Sequence, residues 1–331
     1  MKKRVAFLVI LLLSSMVVPE VMAINVVTTM PNLWNVASEI GGDAATVIYV
    51  APTAAIHISS DTIDALLQQN SEFIKTADVF LGQGGGMDDA VITKVTEFCT
   101  KNFGECVNWQ ILDNVSKDVI PNATIAYDDP TVLLGYSETV AYLLGVVDPI
   151  NASVYQTNLN IYLKKIINTT KLTTTEKAIL ADIPIICHFR IKNQTVNWLG
   201  MNCINSYPQP TTVKDLIDDI HANFSKYEMI AEKSSNGKIV IIENIVAGSD
   251  MGVSIHEALR DAGVPCERII FLNLPKSTED VDTILDYYTY NKNLILSLPS
   301  TDAIPTQKNF SLEIFTIIAG IINMIFLCWR I

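Results

Sequence analysis

Positive charge is scarce in this chain of 331 residues: Lys and Arg total 23 against 35 Asp and Glu, a net charge of −12 at neutral pH. After Lys2, Lys3 and Arg4 no basic run follows. A protein that grips a phosphate backbone needs a basic face, so the composition argues against nucleic acid as a partner. Signatures of catalysis are missing as well. There is no Gly-x-Ser-x-Gly elbow, no H-E-x-x-H pair and no EF-hand loop, and no nucleophile stands beside a plausible base, so an enzyme is the least supported class. Gly82-Gln83-Gly84-Gly85-Gly86 lacks both the Lys-Ser/Thr of a P-loop and G-x-G-x-x-G spacing, and it reads as a tight turn. The 6 cysteines show no repeated C-x-x-C pattern, which speaks against a structural zinc site. The spacings of Cys99 with Cys106 and of Cys187 with Cys203 allow disulfides in an oxidising compartment, with the pairing left open.

Apolar residues, by contrast, are abundant at 49%, and the excess lies at the two ends. Residues 1–23 run from Lys2, Lys3 and Arg4 through the apolar stretch 5–13 to Val21-Met22-Ala23, the pattern of a secretory signal cleaved after Ala23. The competing reading, an N-terminal anchor, has a short apolar run against it. Residues 312–329, LEIFTIIAGIINMIFLCW, are long enough to cross a hydrocarbon core and are followed by Arg330. They read as a C-terminal transmembrane anchor, with a buried helix or a GPI-type signal as alternatives. Sequons at Asn114, Asn122, Asn151, Asn168, Asn193, Asn223 and Asn309 suit a glycosylated extracellular surface.

Between these ends, short strand patterns at 24–28, 46–50 and 79–81 alternate with helical patterns at 33–40, 61–70 and 87–98, the grammar of an α/β domain with a parallel sheet. From about 137 to 180 the pattern turns to long helix. Within it, Tyr155, Leu159, Tyr162, Leu163 and Ile166 share a face, and Pro149 is placed for the first turn. The α/β grammar then returns, with strands at 183–186, 238–243 and 268–272 and helices at 213–223 and 252–262. The expected division is a signal at 1–23, an N-terminal lobe at 24–145, a linking helix at 146–180, a C-terminal lobe at 181–300, a linker at 301–311 and an anchor at 312–329.

Four stretches carry a resemblance: INVVTTMPNLWNVASEIGGD, KTADVFLGQGGGMD, DPINASVYQTNLNIYLKKI and TILDYYTYNKNLI. In their order and separation the chain resembles the zinc and manganese type of metal-binding solute-binding proteins of ABC importers, known as cluster A-I, over most of 24–298. The spine stretch beginning Asp148-Pro149 is the most specific piece. The resemblance implies two Rossmann-like α/β lobes with parallel sheets joined by one long rigid helix, and a cation held between them by four side chains, three His or two His with a Glu, plus one Asp. Zn²⁺, and after it Mn²⁺, would be the cargo handed to a membrane permease. Carried over by position, His57 and His188 fall on two ligand histidines. Thr131 stands where the family has the histidine of D-P-H, and Asn273 stands near the family's aspartate, with Asp280 and Asp282 as nearby substitutes. Asp128, Asp129 and Glu243 are reserve donors, whereas His221 and His256 have no family role.

Neutral Thr is a poor zinc ligand, so the site reads as degenerate. The expected protein is an archaeal-type, membrane-anchored binding component on the outer face of the cell membrane. The alternatives are the same scaffold taking a non-metal or chelated solute, or a surface adhesion protein with a vestigial cleft.

Overall fold

The computed structural model describes residues 23–51, 60–85, 87–104, 109–112, 127–207, 210–244 and 250–298. The expected signal, linker and C-terminal anchor lie outside these residues, as do Cys106, His57 and the sequons at Asn114, Asn122 and Asn309.

The first lobe opens with β1 (Ile24–Thr28), α1 (Pro31–Gly41), β2 (Ala45–Tyr49), α2 (Ser60–Gln69) and α3 (Ser71–Lys75). It continues with β3 (Val79–Gly82), α4 (Met87–Phe103) and β4 (Trp109–Ile111). Its strands are all parallel in the order β2-β1-β3-β4. Alternation along the strands sends neighbouring residues to opposite faces. Val26, Val79 and Leu81 join one apolar cluster with α1, and Val27 and Phe80 join another with Ile63, Leu67, Val91 and Val95. Helix α1 buries Leu33, Val36, Ala37 and Ile40, a single helical face, and stops where Gly42 adopts a positive φ of 52°. A side chain at Gly42 would also strike Asn158, whose amide donates to the Ile40 carbonyl at 3.0 Å.

Two helices follow: α5 (Pro130–Val147), which packs in the first lobe's cluster with α1, and α6 (Ala152–Thr170), which leads on to α7 (Thr174–Asp182). The sequence places Pro149 in the first turn of the spine; one helix ends at Val147 just before it, and the spine helix begins at Ala152, three residues beyond that proline. Asp148 explains the break. Its carboxylate accepts from Asn151 Nδ2 at 2.6 Å and from the Tyr155 hydroxyl at 2.7 Å, a local turn that competes with helix. The expected spine face is the one that packs, with Tyr155, Leu159, Tyr162 and Ile166 buried. Lys165 pairs with Glu39 of α1 at 2.9 Å.

The second lobe contains β5 (Pro184–His188), a π-helical segment (Asn193–Trp198), β6 (Asn202–Tyr207), α8 (Pro210–Ala222) and α9 (Phe224–Lys233). It closes with β7 (Ile239–Asn244), α10 (Asp250–Asp261), β8 (Cys266–Phe271) and α11 (Ile284–Leu296). Its order, β6-β5-β7-β8, is again all parallel and repeats the topology of the first sheet. Helix α11 begins on a capping box between Thr283 and Asp286. Its Ile284, Tyr287 and Tyr288 do not join the second lobe's clusters. They enter the first lobe's core beside Tyr136, Tyr162 and Ile166, so the last helix belongs to the seam between the two sheets.

Candidate functional site

In sheets of this winding, ligands sit outside the carboxyl ends of the strands, where the order reverses. At that end the lobes meet through Asn32, whose side-chain amide donates to the Asn273 carbonyl at 3.2 Å, and Asn35, whose Oδ1 accepts from the Ile284 amide at 3.0 Å. The side-chain oxygens of Asn32 and Asn273 are themselves buried without a hydrogen-bond donor. Two unsatisfied amide oxygens on residues that face each other across the lobes are a place for a donor or a cation.

His188 is the last residue of β5 and is 4% exposed. Burial, aided by the Arg190 charge, pushes its pKa down to about 4, so the ring is neutral at pH 7 with a lone pair to give. Nδ1 accepts the backbone N–H of Arg190 at 3.3 Å, capping the short turn Phe189–Ile191. A ligating histidine normally donates its other N–H outward. Here the cap occupies Nδ1 as an acceptor, so metal at either nitrogen requires that cap to open.

Thr131 lies exposed in the first turn of α5. Its amide donates to Asp129 Oδ1 at 2.9 Å and its hydroxyl to the same oxygen, so Asp129 serves as N-cap and Thr131 as its donor. Asp128 beside it is 7% exposed, and burial next to Asp129 raises its pKa to about 7. This turn is held from a distance: Tyr287 and Tyr288 both donate to the Tyr127 carbonyl, at 2.7 and 2.6 Å. The Asn273 turn is held by the same helix, since Asn291 accepts from the Leu272 amide at 2.9 Å and donates to its carbonyl at 2.7 Å. In the sequence, the signal for this work is a Tyr-Tyr pair and an Asn on one helical face, Tyr287, Tyr288 and Asn291.

Glu243, the reserve donor, is otherwise engaged. It is 1% exposed, accepts from Arg268 Nε at 2.6 Å and accepts from the Gly252 amide at 2.8 Å. Asp282 pairs with Lys276, and Asp280 is exposed. In the glycine loop, Gly84 and Gly85 donate their amides to Asp88 and Asp89 at 2.7 and 3.0 Å, with positive φ of 99° and 77°. The loop is the tight turn its composition suggests, with these two N–H groups already spent on α4. Among the described residues, no three His, Cys, Asp or Glu come close enough together to hold a metal ion.

Paired four-stranded parallel sheets of the same order, a long helix between them and a polar seam at the strand ends are the architecture of a two-lobed binding protein. The family model of the zinc-uptake complex component A, periplasmic (ZnuA), matches residues 26–265, and the chain belongs to that family. It is a family of metal-binding components of transport systems that work with ABC permeases. Among solved structures the chain is similar to the Mn-bound periplasmic metal binding protein of Candidatus Liberibacter asiaticus, with TM-score 0.56 and 16% identity over 82% of this chain and 98% of that one. A metal-free variant of that protein gives TM-score 0.59 at 16% identity over the same shares. The solute-binding protein FpvC of P. aeruginosa, in complex with Ni²⁺, gives TM-score 0.57 at 17% identity over 85% of this chain and 99% of that one. At such identities the likeness is one of fold. No curated protein matches the chain.

Proposed function

We propose that this protein captures a divalent metal ion, zinc first and manganese second, between its lobes and delivers it to an ABC permease from an extracytoplasmic position, tethered by the segment 312–329. His57 and His188 are the strong donors, with Thr131 and Asn273 completing the shell through a hydroxyl and an amide oxygen. The observation that carries this reading is His188 itself: a buried imidazole, neutral at pH 7, at the carboxyl end of β5. No proton has to leave such a ring before it binds metal. Asn273 Oδ1, buried and without a donor, supports the second half of the shell.

Two neutral oxygen donors make weak zinc ligands, so affinity rests on the histidines. Thr131 and Asn273 also favour a second reading, in which the cleft takes a chelated or polar solute that hydrogen-bonds to them. Calorimetric titration of the chelator-treated protein with Zn²⁺ and Mn²⁺ separates the two. Metal capture requires binding that weakens at least tenfold in a His57→Ala, His188→Ala double variant. Equal heats from both proteins, or none, would reject metal as the cargo.

A further inference from the structure

The chain has one chemically distinctive pair that metal capture does not use. Cys187 and Cys203 lie on adjacent parallel strands, β5 and β6, with Sγ atoms 3.8 Å apart. Cys187 is fully buried on the face of the sheet that packs against Ile185, Val240 and Phe271, and Cys203 is half-buried against the same cluster. Their approach follows from the strand register. Ile185 is aligned with Cys203, and the next alignment skips a residue, so the sulfurs of 187 and 203 share a face as diagonal neighbours.

From this geometry we infer that Cys187 and Cys203 are a reversible dithiol–disulfide site that staples the edge strand β6 to β5 directly behind His188. The two thiols differ in access: Cys203 is half-buried, whereas Cys187 is fully buried behind it. An external disulfide reaches Cys203 first, so Cys203, as the thiolate, is the attacking group and Cys187 the resolving thiol.

With a small disulfide such as oxidised glutathione as oxidant, Cys203 attacks one sulfur and expels a glutathione thiolate. Cys187 then gives its proton to that thiolate or to water and attacks the Cys203 sulfur, expelling the second glutathione. Two protein thiols are oxidised and one small disulfide is reduced. The enclosed segment spans 16 positions and contains the π-helical turn with Gln194 and Trp198, so oxidation ties that segment to the strand.

The test uses the full reduced chain exposed to oxidised glutathione, alkylated, digested and mapped by mass spectrometry. The expected result is a cross-linked peptide joining Cys187 to Cys203, no retained glutathione, and a rise of several degrees in Tm that reductant reverses. A Cys187→Ala variant should trap glutathione on Cys203, because the resolving thiol is gone. The milder Cys203→Ser variant, changed at the half-exposed position, should lose the redox-dependent Tm shift while keeping the reduced wild-type Tm. Wild-type protein that keeps glutathione on Cys203, or leaves both thiols open to alkylation, would overturn the inference.

Discussion

Two buried residues near the seam titrate with opposite signs over the same pH range. Asp128 has a raised carboxyl, so the folded state holds its proton more tightly than the unfolded state does. Its stabilising contribution is full below the ordinary value of 3.8 and is lost as pH climbs to about 7. His188 is depressed from 6.5 to about 4, so the unfolded chain takes the proton first and stability falls on acidification through that interval. An Asp128→Asn variant should therefore gain stability relative to wild type by about 1.4 kcal/mol per pH unit between pH 4 and 7. A His188→Gln variant should show a difference of the opposite slope. Urea denaturation of the three proteins at several pH values measures both, and parallel profiles would show that neither group titrates as its surroundings dictate.

Among the elements, β7 and α10 approach each other closely at Glu243 and Gly252. A Cβ on Gly252 would sit 2.1 Å from the Glu243 carboxylate carbon, while Arg268 and the Gly252 amide hold that carboxylate in place. Gly252→Ala should cost about 1–3 kcal/mol, an overpacking effect joined to displacement of a buried ion pair. Gly263→Ala is the useful comparison, because there the positive φ of 77° strains the backbone but no atom lies within 4 Å. Similar midpoints for the two variants in urea would mean that the close approach is not what Gly252 provides.

Element positions were largely legible in the sequence because each needs only a local period. Strands at 24–28, 79–82 and 239–244 and the packed face of the spine follow from apolar spacing alone. Strand β6 escaped notice because NCINSY is polar and lies at a sheet edge, with only Tyr207 buried, so it carries little hydrophobic pattern. Pro149 marked the boundary between α5 and α6, but not how the turn closes, which depends on where the Asn151 and Tyr155 side chains turn and is not encoded in a helical period.

At the scale of the molecule, the seam is more core than hinge. Tyr287 and Tyr288 of the last helix sit in the first lobe's apolar cluster, and Trp198 of the second lobe packs against Tyr288 at 4.8 Å while donating to the Thr170 carbonyl at the end of the spine. Opening the lobes would expose these rings and unsatisfy the Tyr127 carbonyl. Ligand binding should therefore leave the radius of gyration unchanged in small-angle scattering, with any change confined to the turns at Tyr127–Thr131 and Asn273. A measurable contraction on adding Zn²⁺ would argue for hinged lobes instead.

The sequence by itself determined the α/β grammar, the helical spine and the family likeness, because these depend on periodicity and on order along the chain. Tertiary structure alone decided what the candidate site residues touch. It gave His188 to the Arg190 amide, Thr131 to Asp129 and Glu243 to Arg268, and it brought α11 from the chain's far end to fix both turns of the seam. Such contacts join residues up to 161 positions apart. The contacts of α11 with Tyr127 gain their energy from burial and hydrogen-bond satisfaction once the two lobes are packed together, whereas those of His188, Thr131 and Glu243 form within a single turn or lobe.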